Sequence, residues 1–296
     1  MSLVAPTSAP GSKKKPKSLY GYEVLDTIGE GAGSIIYAAS DPKTQQLCAL
    51  KYVQVKAEGD ERYLQQVISE YEVASKANHP GLRKATDLKT NKSFLHKITE
   101  AVLVMELVDG VPVAVQRPQG LPAMLSCFIQ TAQALKALHT LGYVHCDLKP
   151  DNILICSDGQ VKIIDLGQAA KVGTKKDRIQ GSADFISPEQ VHKDAVSVRT
   201  DVFNLGATMY SVLTSGHKLP TLFTVKRNTG GAGSFLVEGH IQSPSDINPA
   251  VPQNLSNLVM ECIRVDAMRR PADMGVLISR LEVVQYGLKQ HQPATA

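Results

Sequence analysis

The chain has 296 residues, 43% hydrophobic and 20% charged, enough apolar material for a core in one large domain or two packed lobes. That apolar fraction excludes disorder as the main state, and no run of about 18 apolar residues exists to span a bilayer. The net charge of +4 equals the charge of Lys13, Lys14, Lys15 and Lys17; the other 28 basic residues balance the 28 acidic ones, so bulk charge does not support nucleic-acid binding.

Residues 1–18 are rich in Ser, Pro, Ala and Lys, lack apolar periodicity, and are expected to form a disordered basic tail. They contain no apolar signal-peptide region, and no glycine follows Met1 for myristoylation. A solvated tail is preferred over a nuclear or membrane-surface signal for Lys13–Lys17. From Leu19, the runs YGYEVLDTIGE, SIIYAAS and QLCALKYV predict an antiparallel strand meander. In ERYLQQVISEYEVASKA the spacing of Leu64, Val67, Ile68 and Tyr71 predicts an amphipathic helix. Two further strands are expected around Ser93–Lys97 and Ala101–Val108.

From Leu121 the pattern becomes helical. Pro122 suits a first turn, Met124, Leu125, Phe128, Ile129, Ala132, Leu135 and Leu138 form an apolar stripe, and Gly142 marks the stop. The runs NILIC and QVKIID predict two strands around a Ser157-Asp158-Gly159 turn. Helices are expected at 201–214, 254–263 and 272–288, with a Gly-, Pro- and Ser-rich stretch at 217–250 and a short tail at 289–296. The reading is an α+β protein with a strand-rich lobe carrying one main helix, then a mainly helical lobe. Five scattered cysteines, Cys48, Cys127, Cys146, Cys156 and Cys262, with no CxxC pair, point to reduced thiols in a cytoplasmic setting, without disulfides or zinc.

The chemistry is concentrated in Tyr143-Val144-His145-Cys146-Asp147-Leu148-Lys149-Pro150-Asp151-Asn152 and, thirteen residues beyond Asn152, Asp165-Leu166-Gly167. Phosphoryl transfer from a nucleotide needs such a set. A carboxylate receives or orients a hydroxyl proton, a cation meets the moving phosphoryl group, and carboxylate and amide oxygens suit Mg2+. The two runs resemble the catalytic loop (H-R-D-L-K-x-x-N) and metal motif (D-F-G) of protein kinases. The resemblance extends over about residues 22–285. Gly29-Glu30-Gly31-Ala32-Gly33-Ser34 lies between two predicted strands like the kinase glycine-rich loop, with Ser34 in place of the third glycine and Gly33 beside it as a flexible site. Ala49-Leu50-Lys51 resembles the third-strand lysine motif, and Glu70 its helix partner; Glu72 is the alternative, about 200° away around the helix. Val104-Met105-Glu106-Leu107-Val108 resembles the hinge, and Ser187-Pro188-Glu189 the A-P-E segment. Arg270 stands where that glutamate's partner is found, and Asp201 where a buried aspartate braces the catalytic loop.

The resemblance, closest in wording to bacterial members, implies a Hanks-type serine/threonine kinase with the bilobal kinase fold. It would have an N-lobe over 19–105, a hinge over 106–110 and a C-lobe over 111–288. Asp147 would handle the proton of the acceptor hydroxyl and Lys149 the charge on the γ-phosphate. Asn152 and Asp165 would ligate Mg2+, with Mn2+ as an alternative, and Lys51 with Glu70 would anchor ATP. The loop from Gly29 to Ser34 would cover the phosphates. Met105 would be the gatekeeper, the carbonyl of Glu106 and the amide of Val108 would meet the adenine edge, and Ile36, Ala49 and Leu154 would bracket its ring. The Leu-Lys-Pro wording and Ser182 favour Ser/Thr over Tyr in protein substrates.

Three departures qualify the likeness: Cys146 for the arginine, Leu166 for the phenylalanine, whose packing slot a large apolar residue is expected to fill, and Ser34 for the glycine. Without the arginine, a phosphate on the activation loop loses a main anchor, so activity is expected not to depend strictly on phosphorylation of Thr174. Cys146, buried beside a carboxylate, is expected to be inert. No sensor segment is expected within this chain. The rival readings are an ATP-binding pseudokinase scaffold and a small-molecule phosphotransferase. The presence of Lys51, Asp147, Asn152 and Asp165 argues against the first, and the Lys-Pro and Pro-Glu/Arg features against the second.

Overall fold

Alternation of β-branched and polar residues over the first hundred positions produces a six-stranded antiparallel sheet. Its strands are β1 (Ser18–Leu19), β2 (Tyr22–Glu30), β3 (Ser34–Ser40), β4 (Leu47–Gln54), β5 (Ala85–Lys92) and β6 (Ile98–Glu106), in the order β1-β2-β3-β4-β6-β5. The structure, a computed structural model, describes residues 15–31, 33–94, 96–220 and 241–290. The expected tail at 1–14, Ala32, Leu95, residues 221–240 of the Gly-rich stretch and residues 291–296 lie outside the described residues. The chain divides into two compact units, one drawn from Met1–Lys76 and Arg83–Val108, the other from Ala77–Leu82 and Asp109–Ala296.

In the first unit the strand register sorts side chains onto two faces. Ile36 lies opposite Lys51, which lies opposite Leu103, and the next row is Ala38, Ala49 and Met105. Cross-strand partners share a face, so Ile36, Ala49, Lys51 and Met105 project on the same side. The other side buries Tyr37, Ala39, Cys48, Leu50, Val102 and Val104, covered by Leu19, Tyr20 and Tyr22 of the β1–β2 turn. That turn is clamped down by the hydroxyls of Tyr20 and Tyr52, which donate to the two oxygens of Glu100 at 2.8 and 2.7 Å. Helix α1 (Glu61–Ala74) packs against β4 and β6, burying Leu64, Val67, Glu70 and Val73.

Two expectations for this unit are corrected. Ser93–Lys97 is not a strand but the turn between β5 and β6, closed by the Ser93 amide on the Lys97 carbonyl at 2.8 Å. The true strand, ATDLKTNK, is an edge strand whose solvated side chains leave no apolar alternation to read. The last residues of the expected tail are paired with the sheet: Ser18 pairs with Glu23, and the Lys17 carbonyl accepts from the Val24 amide at 3.1 Å.

In the second unit α2 (Gly120–Thr140) runs along α7 (Met274–Gln290) and also meets α4 (Val198–Leu213), which packs on α6 (Gln253–Cys262). Chain reversal after α2 is made at Gly142, whose φ of +80° is in the left-handed region. Almost every residue of α4 is buried, including the polar Thr200, Asp201, Asn204 and Thr208. Short helices α3 (Pro188–His192) and α5 (Pro244–Ile247) complete the set, α5 falling in the stretch read as aperiodic. β7 (Gly110–Pro112), β9 (Ile153–Cys156) and β10 (Val161–Ile163) form a three-stranded sheet, and β8 (Tyr143–Val144) pairs with β11 (Ala170–Lys171). Strands β7, β8 and β11, each of two or three residues outside any longer apolar run, show no readable period and were not anticipated.

The boundary between units also differs from the sequence expectation. Ala77–Leu82 belongs to the second unit, because Leu82 bridges Ile163 and the Ile163 amide donates to the Gly81 carbonyl at 2.7 Å. After β6 the division falls between Val108 and Asp109, within the span expected as the hinge over 106–110.

One buried ion pair fixes the second unit's base. Arg270, 3% exposed, donates to the two oxygens of Glu189 at 2.8 and 3.0 Å and to the carbonyls of Arg199, Arg264 and Val265. Its guanidinium lies 4.9 Å from the Phe203 ring centroid, and Thr200 adds a hydroxyl to Glu189 at 2.9 Å. Burial alone would raise the Glu189 carboxyl, but the hydrogen bond and charge of Arg270 hold it below the usual range. Replacing Arg270 with Met leaves that carboxylate buried without its partner and is expected to cost roughly 3–5 kcal/mol, read as a lowered urea midpoint at pH 7. Because the folded carboxyl is depressed, its stabilisation is present above the free glutamate value of about 4.3 and is lost as pH falls through the folded value. An unchanged midpoint in Arg270→Met would contradict this.

Candidate active site

The glycine-rich segment forms the β2–β3 hairpin tip. Gly29 lies opposite Ile36 and Glu30 opposite Ile35, and the Gly31 amide closes the turn on the Ser34 carbonyl at 2.8 Å. The missing side chain of Gly33 makes room for Tyr63 of α1: a Cβ built on Gly33 would stand 2.3 Å from ring atoms Cγ and Cδ2. Glycine therefore supplies space at this position, where the sequence suggested flexibility.

On the shared face of the sheet, Lys51 Nζ donates to Glu70 Oε2 at 2.6 Å, and the second oxygen of Glu70 receives Arg83 at 3.3 Å. Glu70 is 2% exposed while Glu72 faces solvent, which resolves the choice between them. Arg83 is a second cation on this carboxylate that the sequence did not single out. Met105 is buried next to Ala49 at the end of β6. The Glu106 amide donates to the Lys84 carbonyl at 3.0 Å, and Val108 follows in irregular chain.

In the second unit the site is built around Asp201, which is fully buried on α4. Its carboxylate accepts the His145 amide at 2.8 Å, the Cys146 amide at 2.9 Å and His139 Nε2 at 2.8 Å. Burial pushes this carboxyl up, but the hydrogen bond and charge of His139, joined by His145, hold it below the usual range, so it stays ionised. Cys146 sits at φ +64°, a left-handed conformation that costs a non-glycine residue about 1 kcal/mol or more and is secured here at both ends. Asp201 takes its amide, and Gln190 Nε2 donates to its carbonyl at 2.7 Å. Its thiol is buried, and burial followed by the Asp201 charge pushes it well above the usual thiol range, so it is protonated and unreactive.

From this anchored peptide the chain projects Asp147. One Asp147 oxygen accepts the Ser182 amide at 2.7 Å, and the Ser182 hydroxyl accepts Lys149 Nζ at 2.9 Å. Asn152, 5% exposed, donates its amide nitrogen to the Asp147 carbonyl at 2.8 Å, and its own carbonyl receives the Ile164 amide at 2.9 Å. Asp147, Lys149, Asn152 and Ser182 are thus brought together, with Asp165 one residue beyond the Ile164 link at φ +62°. Leu154 lies on β9, 7% exposed, and Leu166 fills a buried slot as expected. Gln190 was missed as a site residue. Besides Cys146 it donates to the Gln180 carbonyl at 3.0 Å, while its oxygen accepts from Ser187 and Asn204. The Ser187-x-x-Gln190 spacing is that of a helix capping box, a local signal that could have found this residue, but its bonds to Gln180 and Cys146 span 10 and 44 positions and leave no local mark.

The donor chemistry fits a hard cation. The Asn152 nitrogen is committed, which leaves its Oδ1, and Asp165 adds carboxylate oxygen. Among the described residues no group of three or more His, Cys, Asp or Glu could hold a metal. Two oxygen side chains with the remaining positions taken by phosphate and water is the pattern Mg2+ favours over a full protein cage.

Comparison with known proteins agrees with this geometry. Residues 22–280 match the protein kinase domain. The chain is 31% identical over 260 residues to the serine/threonine-protein kinase PknA of Mycobacterium tuberculosis, covering 85% of this chain and 57% of that protein. It is 27% identical over 276 residues to a probable serine/threonine-protein kinase of Clostridium perfringens (89% and 38%). It is 30% identical over 268 residues to another of Streptomyces coelicolor (86% and 38%). The chain thus spans 38 to 57% of the length of these relatives. With a domain match over most of its length and a catalytic loop held as described, the chain belongs to the protein kinase family.

Proposed function

We propose that the chain transfers the γ-phosphate of ATP to serine and threonine hydroxyls of protein substrates. The observation that carries the reading is the Asp147 arrangement: a carboxylate aimed by the Ser182 amide, with Lys149 on the Ser182 hydroxyl and Asn152 on the Asp147 carbonyl. In this reading Asp147 orients the acceptor hydroxyl and takes its proton, while Lys149 balances charge growing on the transferred group. Asn152 and Asp165 would hold Mg2+, which when bound shields the phosphate oxygens from one another. Lys51, kept pointing inward by Glu70, would hold the α- and β-phosphates, and the loop from Gly29 through Ala32 to Ser34 would cover them. Adenine contacts are assigned to Ile36, Ala49, Leu154, the Glu106 carbonyl and the Val108 amide, with Met105 as gatekeeper. The kinase domain is taken as residues 19–288.

We further infer that the activation segment is ordered without phosphate. Ala170–Lys171 pairs with Tyr143–Val144, Lys176 Nζ caps the Gln168 carbonyl at 2.6 Å, and Gln190 ties Gln180 to Cys146. Burial lowers the Lys176 ammonium while the Asp147 and Asp201 charges oppose that shift. A protonated thiol at Cys146 offers no cation to a phosphate. A cytoplasmic location is proposed because the five cysteines are all free, four of them buried, and no helix among the described residues is long and apolar enough to cross a membrane.

Asp147→Asn is expected to lower transfer of radiolabel from ATP to a protein substrate by roughly 10²- to 10⁴-fold while ATP binding persists. Retention of wild-type transfer would rule out this assignment. Thr174→Ala is expected to keep the specific activity within about a factor of two, as a partly exposed position with no catalytic contact should. Loss of activity in Thr174→Ala would establish dependence on that hydroxyl.

A further inference from the structure

Helix α1 presents two residues to the parts of the first unit assigned to phosphate binding. Tyr63 and Glu70 are seven positions apart, two turns of helix, and so share a face. Glu70 meets Lys51, and Tyr63 meets the glycine-rich loop. The Tyr63 contact is close: a Cβ on Gly33 would lie 2.3 Å from Cδ2 and Cγ of the ring and 2.6 Å from Cε2, so the ring rests against the glycine backbone with no space for another atom. The ring is itself restrained. The Arg62 guanidinium lies 4.6 Å from its centroid and donates to the phenol oxygen at 2.7 Å, and the Tyr63 amide is tied to the Asp60 carbonyl at 2.9 Å.

We propose that Tyr63 is a positioning residue for the nucleotide, backing the glycine-rich loop at Gly33 and joining it to the helix that orients Lys51. The inference rests on the kinase reading above. A hairpin tip with three glycines in five residues has many conformations, and ordering it over a phosphate chain costs entropy. A flat, restrained ring against Gly33 removes part of that freedom before ligand arrives. The contact also gives α1 a hold on both phosphate-directed groups of this unit, so a shift of the helix would move the loop and Lys51 together.

The test is steady-state kinetics with ATP varied, alongside titration of the full chain with a fluorescent ATP analogue. Tyr63→Ala, Tyr63→Phe, Gly33→Ala and the Gly33→Ala/Tyr63→Ala pair are compared. Tyr63→Ala is expected to raise KM and the analogue Kd roughly three- to tenfold with kcat little changed, because the ring orders the loop and touches no reacting atom. Tyr63→Phe keeps the ring and should restore wild-type affinity. Gly33→Ala should weaken binding when Tyr63 is present and much less when it is Ala, since the added methyl then has no ring to strike. Unchanged or tighter ATP binding in Tyr63→Ala overturns the proposal, as do additive effects of the two substitutions. If the wild-type chain binds the analogue and Tyr63→Ala binds it equally, only the role of Tyr63 falls. If the wild-type chain binds none, the kinase reading falls with it.

Discussion

A single buried carboxylate sets the geometry of the second unit. Asp201 sits on a helix that has almost no solvent-facing side, and an ionised group there is tolerated only because three donors converge on it. Two of those donors are consecutive backbone amides, His145 and Cys146. Holding both forces Cys146 into the left-handed region and turns the chain so that Asp147 leaves the buried peptide and meets Ser182. The third donor, His139, belongs to the last turn of α2, so the longest helix of this unit is tied into the same carboxylate. Without Asp201, two buried amides would lose their acceptor and the strained peptide would have no reason to persist.

The same logic accounts for Cys146. In a family where an arginine commonly occupies this position, a small neutral thiol removes a charge from the protein's interior. Cohesion between the catalytic loop and the activation segment is then supplied by amides: Gln190 bonds to both, and Asp147 accepts directly from Ser182. These contacts need no modification to form, which is the physical basis for expecting activity in the unphosphorylated chain. The first unit follows a different rule. Its working face is arranged by strand register, with Ile36, Lys51, Ala49 and Met105 in adjacent rows, and α1 laid across it to deliver Glu70 and Tyr63.

Much of this was legible in the sequence because the informative residues are close together along the chain. Asp147, Lys149 and Asn152 fall within six positions, and the turn and strand that follow dictate where Asp165 comes. Helix α1 was readable from its apolar spacing, while the choice of Glu70 over Glu72 came from the kinase resemblance. What stayed hidden depends on long-range contact. Arg83 shares Glu70 across 13 positions and His139 reaches Asp201 across 62, and neither residue type nor local pattern announces such a pairing. Gly33 illustrates a subtler failure: glycine in a loop reads as flexibility, yet what it provides is room for an aromatic ring from another element. The edge strand β5 was lost because an edge need not be apolar, so periodicity had nothing to register.

The central claim is that Asp201 holds the peptide from which Asp147 projects. It is tested most directly by amide hydrogen exchange over residues 143–149, in the wild-type chain and in Asp201→Asn. An asparagine keeps the shape but has one strong acceptor where the carboxylate has two. The account predicts that the His145 and Cys146 amides exchange at least about tenfold faster in the variant, a loss of some 1.4 kcal/mol of local protection, while β3 and β4 keep theirs. Unchanged exchange at those two amides would contradict it.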